Sequence, residues 1–157
     1  MSRETKERLR RALAAEARMR QRAVDALDEA VADRLGVNRT DLRCLDVLME
    51  CESATPGQLA AALSLTSGSV TTMLDRLERM GYVRRQADPG DRRKVNILPT
   101  PKVVQAAMSL YGPIVREGAG ILGRYTAEQL EALIDYTRRD RVLQEQHAAR
   151  IHSLSKD

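Results

Sequence analysis

The sequence predicts a mainly α fold with one small β-hairpin, and three observations carry that prediction. Two short amphipathic helical patterns, 56–63 and 67–80, are joined only by Ser64-Leu65-Thr66. Directly after them, Tyr82 to Ala87 and Lys94 to Leu98 fit strands, with the turn formers Asp88-Pro89-Gly90-Asp91-Arg92-Arg93 between. Longer helical patterns lie on both sides, at 6–35 and from Pro101 onward. Together these predict a winged helix-turn-helix with N- and C-terminal dimerisation helices. Such a unit holds one helix in the major groove of DNA.

A chain of 157 residues can bury one good core and is short for two. It is therefore expected to form a single domain, 1–157. Residues 38–100 would make the DNA-binding lobe, and 1–37 with 101–157 the dimerisation lobe. With four Tyr, no Phe and no Trp, the core must come from Leu, Val, Ile, Ala and Met. The same scarcity argues against single-strand binding, which needs aromatic platforms for bases. The net charge of +4 and pI near 9.4 suit a polyanionic partner only weakly. Distribution says more. Between Thr66 and Val95 lie Arg76, Arg79, Arg84, Arg85, Arg92, Arg93 and Lys94 against Asp75, Glu78, Asp88 and Asp91. No secretory segment opens the chain, and no apolar run nears the roughly 18 residues of a membrane span. A cytoplasmic protein without a membrane partner is expected. Cys44 and Cys51 lie seven apart in one helical pattern. At 1.5 Å per residue that is about 10 Å, too far for a disulfide between them.

Taken in order, the 6–35 helix carries Leu9, Leu13, Ala17, Val24, Leu27, Val31 and Leu35, and Gly36 stops it. Its length suits an arm for dimerisation better than a plain core helix. A helix over 39–52 carries Leu42, Leu45, Val47, Leu48 and Met49, and Ser53-Ala54 breaks it. Thr55-Pro56-Gly57-Gln58 then reads as a capping box with proline at the first helical position. The 56–63 helix turns Leu59, Ala60 and Leu63 inward. The 67–80 helix buries Val70, Met73, Leu74 and Leu77, and Gly81 ends it. Pro99, lacking an N–H, should end the second strand, and Thr100-Pro101 looks like another cap. The next helix runs through Val103, Val104, Ala107, Leu110 and Ile114. Gly112-Pro113 should bend it, while Gly118, Gly120 and Gly123 loosen its end. Thr126 to Gln129 forms a second capping box and opens a final helix through Leu130, Leu133, Ile134, Leu143, Ile151 and Leu154.

The candidate chemistry sits in the middle of the chain. Ser67, Ser69, Thr71 and Thr72 occupy the exposed face of the 67–80 helix. Hydroxyls bond to base edges or phosphates, and a threonine methyl can touch a thymine methyl. The helix N-terminus adds unpaired N–H groups that favour phosphate. Arg76 lies further along, placed for a phosphate or an intramolecular ion pair. In the hairpin, Arg92 and Arg93 can enter a minor groove, with Asp88 or Asp91 pinning the loop. Arg84, Arg85 and Lys94 can reach flanking phosphates. The bland alternatives are a solvated helix face and a solubilising hairpin. A bland face would carry Glu and Lys more often than four clustered small hydroxyls.

The run Val70-Thr71-Thr72-Met73-Leu74-Asp75-Arg76-Leu77-Glu78-Arg79-Met80-Gly81-Tyr82-Val83, then Arg84-Arg85 and Asp88-Pro89-Gly90-Asp91-Arg92-Arg93, resembles the MarR family (multiple antibiotic resistance regulators). The likeness covers residues 40–101 by motif and the whole chain by layout. It implies a homodimeric winged helix-turn-helix repressor or activator, with both chain ends forming the dimer. Small ligands or oxidants would release the DNA. Asp91 and Arg93 match the family's wing pair, in which the acid steadies an arginine over the minor groove. Thr72 stands where an arginine is common, and Leu98-Pro99-Thr100-Pro101 carries an extra proline. The operator sequence therefore does not carry over. In such a dimer two recognition helices enter successive major grooves of double-stranded DNA and read an inverted repeat.

Other motifs weigh little. Gly118-Ala119-Gly120-Ile121-Leu122-Gly123 matches G-x-G-x-x-G, but no strand precedes it. His147 and His152 are about 140° apart on a helix and do not converge on a metal. No enzymatic activity, metal or cofactor is expected. Two rivals remain: a winged-helix module whose basic hairpin meets an acidic protein, and a redox switch at Cys44 or Cys51. A sensing thiol should be exposed beside a cation, so core packing is the expected role of both cysteines.

Overall fold

The computed structural model describes residues 2–88, 90, 91 and 94–154. Eight elements follow one another: α1 (Arg3–Leu35), α2 (Arg39–Cys51), α3 (Pro56–Leu63), α4 (Ser67–Arg79), β1 (Val83–Ala87), β2 (Val95–Pro99), α5 (Pro101–Leu122) and α6 (Ala127–His152). This is the mainly helical winged-helix architecture with one antiparallel hairpin. The chain divides into two compact units, Met1–Leu110 and Tyr111–Asp157.

In the first unit the core collects the apolar stripes of four helices. Leu42, Leu45 and Leu48 of α2, Leu59 and Leu63 of α3, and Val70, Met73, Leu74 and Leu77 of α4 are all buried. Each set recurs at three or four residues, so one helical face goes inward. Full burial of a leucine stabilises by about 1.5–3 kcal/mol. The end of α1 joins this core through Val31, Ala32 and Leu35, while Leu9, Leu13 and Met19 stay exposed. That helix begins one turn before the expected start because Ser2 caps it, accepting from the Thr5 N–H at 3.2 Å. Gly36, at φ +70°, ends it in the left-handed conformation.

The predicted capping box of α3 is present. Thr55 Oγ1 accepts from the Gln58 N–H at 3.3 Å, and Gln58 Oε1 accepts from the Thr55 N–H at 2.8 Å. Thr55→Ala is expected to lower unfolding stability by about 1 kcal/mol, read from a urea midpoint. A box that the sequence reading did not identify opens α2, between Asn38 and Asp41.

The hairpin pairs Val83 with Pro99 through to Ala87 with Val95. Three details differ from expectation. Pro99 ends the second strand as expected, but as its last ladder residue, opposite Val83, so the strand runs one residue past Leu98. An end position needs no N–H from it, and the next N–H, from Thr100, reaches Tyr82 O at 2.9 Å. Ala54 is more than a helix break. It exchanges two bonds with Ile97 (3.1 and 2.8 Å) and so buries itself against β2. Thr100 turns its hydroxyl to the Gly81 carbonyl at 2.7 Å, tying α5 to the end of α4. Lys102 Nζ donates to Met80 O at 2.7 Å and sits 4.9 Å from the Tyr82 ring centroid. The buried Tyr82 hydroxyl donates in turn to Leu35 O at 2.9 Å.

The second unit holds the rest of α5 and α6. The helix α5 continues through Pro113 to Leu122, so the glycine-rich run is helical and offers no phosphate loop. Thr126 and Gln129 form the predicted capping box of α6. No residue of α6 is buried, and Leu133, Ile134, Leu143, Ile151 and Leu154 are exposed. Among the described residues no helix is long and apolar enough to cross a membrane.

Candidate nucleic-acid interface

The α3–α4 pair is built around a turn that holds α4 at a defined angle. Ser64 takes a left-handed conformation, φ 55°, and Leu65 N–H closes on Ala60 O at 3.0 Å. Thr66 then caps α4, accepting from the Ser69 N–H at 3.2 Å. With Val70, Met73, Leu74 and Leu77 turned to the core, Gly68, Thr72, Asp75 and Arg79 fall on the opposite, exposed face. Ser67 and Thr71 flank it, also exposed. Of the four candidate hydroxyls, three are engaged inside the helix. Thr71 Oγ1 donates to Ser67 O at 3.0 Å and Thr72 Oγ1 to Gly68 O at 3.1 Å. Ser69 Oγ shares a proton with Thr66 Oγ1 at 2.9 Å.

Arg76 is turned inward, onto a partner the sequence reading did not name. Its Nε and Nη2 donate to the two carboxylate oxygens of Asp41, at 2.8 and 2.5 Å. The Asp41 side chain is 0% exposed and that of Arg76 38%. Asp41 is also the third residue of the α2 capping box, accepting from Asn38 N–H at 3.4 Å. One buried carboxylate thus ties the start of α2 to the middle of α4. The hydrogen bond to Asp41 holds the Arg76 guanidinium protonated more firmly than usual. An acid beside Leu42 and Leu45, three residues after Asn38, was the available sequence signal.

Arg85 is tied down as well. Its guanidinium donates to Asp75 Oδ1 at 2.6 Å and to Glu78, joining β1 to the outer edge of α4. The hydrogen bond it donates to Asp75 leads the causes that raise its pKa. These partners are half-exposed, so Arg85→Ala is expected to cost under about 1 kcal/mol, checked by urea unfolding. Arg84 and Lys94 are exposed, and Arg84 Nη1 donates sideways to Gln86 Oε1 at 2.5 Å.

Asp88, one of the two acids considered for pinning the wing, holds the loop from within. Its Oδ1 accepts from the N–H groups of Gly90 (2.8 Å) and Asp91 (3.0 Å), and its Oδ2 from Asn96 Nδ2 at 3.0 Å. Asn96 was absent from the sequence-based candidates. These bonds, with the Gly90 N–H first, hold the Asp88 carboxyl below the usual carboxylate range. Its contribution is therefore present above the ordinary range near pH 4 and is lost as pH falls through the lowered value. Asp88→Ala is expected to speed amide exchange at Gly90 and Asp91 at neutral pH, measured by NMR. Arg92 and Arg93, and with them the Asp91–Arg93 pair, lie outside the described residues.

The two cysteines part company. Cys44 is 0% exposed. Burial first, then nearby Asp41 and Cys51, push its thiol up to about 12. Cys51, expected in the core, instead lies on an exposed helix face with Sγ donating to Val47 O at 2.9 Å. One thiol per native chain should react with iodoacetamide at pH 8, and two after denaturation.

Known proteins share this layout. The MarR family model matches residues 37–95. HTH-type transcriptional regulator YcgE of Bacillus subtilis (strain 168), itself uncharacterized, is 35% identical over 123 residues, 78% of this chain and 80% of that protein. Among solved structures, apo MarR from E. coli is similar at 24% identity and TM-score 0.55, over 81% of this chain and 94% of that one. A mutant of S. aureus MepR bound to an oligodeoxyribonucleotide is similar at 19% identity and TM-score 0.58, over 83% and 97%. By the motif run of α4 and the wing, and by identity across most of its length, the chain belongs to the MarR family of helix-turn-helix transcriptional regulators.

Proposed function

We propose that this regulator is a homodimeric repressor that reads an inverted-repeat operator and leaves it when a small ligand binds. The observation that carries the DNA-binding part is the outward face of α4. It is held from behind by a buried core and by the Asp41–Arg76 pair, and carries only short side chains in its first two turns. A helix so braced and so bare can enter a major groove. Ser67, Ser69, Thr71 and Thr72 face the bases or the phosphates beside them. Arg84 and Lys94 reach the flanking backbone, and Arg92 and Arg93 enter the minor groove. Arg76 and Arg85 serve as braces behind and beside α4, because their guanidiniums are committed to acids of this chain.

The dimer reading rests on the exposed apolar residues Leu133, Ile134, Leu143 and Ile151 of α6, with Leu154 just beyond its end. A second copy supplies the matching stripe by two-fold symmetry. Regulation then follows as linkage between a ligand seated among these helices and the spacing of the two reading heads.

A mobility shift with the promoter region beside its own gene, at two salt concentrations, tests the reading. A sequence-selective shift that weakens steeply with salt is expected. Binding without selectivity counts against it. Light scattering should give twice the 17.5 kDa chain mass; the mass of one chain would remove the dimer. Arg93→Ala should weaken operator binding severely and reduce the salt slope by about 1.

A further inference from the structure

We propose that Thr72 reads a thymine through its methyl group, with Gly68 providing the close approach that so short a side chain needs. This rests on the DNA-binding reading above and adds which base feature is recognised. The first support is the hydroxyl of Thr72. Its oxygen lies 3.1 Å from the Gly68 carbonyl, which can only accept, so the hydroxyl proton is spent on the helix itself. With Oγ1 turned against the backbone, the methyl is the part of the side chain left to face outward. The second support is what the face lacks. From Ser67 to Asp75 there is no Arg, Lys, Asn or Gln. Those are the side chains that grip guanine or adenine bidentately in the major groove. Arg76, next in line, is held by Asp41, and Arg79, about two turns beyond Thr72 on the same face, donates Nε to Asp75 O at 3.2 Å. The thymine methyl is the remaining major-groove feature that a methyl can recognise.

Gly68 supplies the third support. It sits four residues before Thr72, one turn away on the same exposed face. A Cβ built there meets nothing within 4 Å. Packing inside the chain therefore does not require glycine, and glycine weakens a helix relative to alanine. A bare backbone at that point lets α4 lie closer to the base edges by about the depth of a methyl group.

The test is a cycle that combines Thr72 variants with operator duplexes carrying deoxyuridine for thymidine, one position per half-site at a time. Uracil differs from thymine only by the missing methyl. Wild type is expected to lose about fourfold per half-site at one position, the value of one buried methyl-sized group. Thr72→Ser keeps the hydroxyl bond and removes the methyl; it should bind the thymine operator more weakly and be indifferent to uracil at that position. Thr72→Val keeps the methyl and should retain the discrimination. Gly68→Ala should melt no lower than wild type yet bind the operator more weakly. A uracil response that is flat at every position in wild type, or that survives in Thr72→Ser, overturns the assignment. Loss of discrimination in Thr72→Val would show that the hydroxyl reads the base instead. Full operator affinity in Gly68→Ala would remove the close approach. A wild-type chain that shifts no DNA selectively overturns both this inference and the reading beneath it. A selective shift with a flat uracil response overturns only the inference.

Discussion

Arg76→Ala is expected to cost this fold about 3–5 kcal/mol, the range for breaking a buried ion pair from one side. The reason lies with the residue left behind. Asp41 is 0% exposed, and without Arg76 its carboxylate keeps, among the described residues, the long bond from Asn38 N–H. A charge taken out of water and left without its partner is the expensive case. The reciprocal change, Asp41→Ala, should cost less, about 2 kcal/mol, because Arg76 at 38% exposure can turn back to solvent. Urea unfolding of both single variants and the double variant checks this. The double should lie close to Asp41→Ala, since removing the acid takes away the burden that Arg76 offsets. Equal costs for the two single changes would contradict the assignment of the buried charge.

Leu77→Ala should cost about 2–5 kcal/mol, the range for deleting most of a leucine from a closed core. Leu77 is 0% exposed and lies on the inner face of α4, directly behind the exposed one. Its loss should also loosen the hold on α4, so operator affinity would fall beyond what the unfolded fraction accounts for. Thermal unfolding and a binding titration well below the melting temperature separate the two effects. A change within about 1 kcal/mol would mean that the site collapses to fill the space, contrary to close packing around it.

How much of this was legible beforehand depended on the range of each interaction. The helices carry their own signal, because Val70, Met73, Leu74 and Leu77 or Leu42, Leu45 and Leu48 repeat at the helical period. The wing does too, since its turn formers are contiguous. The boxes at Thr55 and Thr126 were visible because a capping box spans only four residues. The box at Asn38 is equally local, but Asp41 sits among leucines, which masks its capping pattern. What no local pattern could show was where the guanidiniums go. Arg76 meets Asp41 across 35 residues, and the hairpin brings Arg85 back to Asp75 and Glu78. Charges read along the chain look free for phosphate until folding brings their partners to them.

By itself, the sequence determined the class of molecule: a short helix pair, a basic hairpin, long flanking helices, and a motif run shared with the MarR family. These rest on periodicity and turn chemistry, which act within a few residues and need no tertiary contact. Only the tertiary structure decided which polar groups remain for a partner. It placed Arg76 and Arg85 on acids and gave Ala54 a bridge to Ile97. The physical reason is that a hydrogen bond or an ion pair is settled by which groups lie within about 3 Å, a distance set by folding rather than by spacing along the chain.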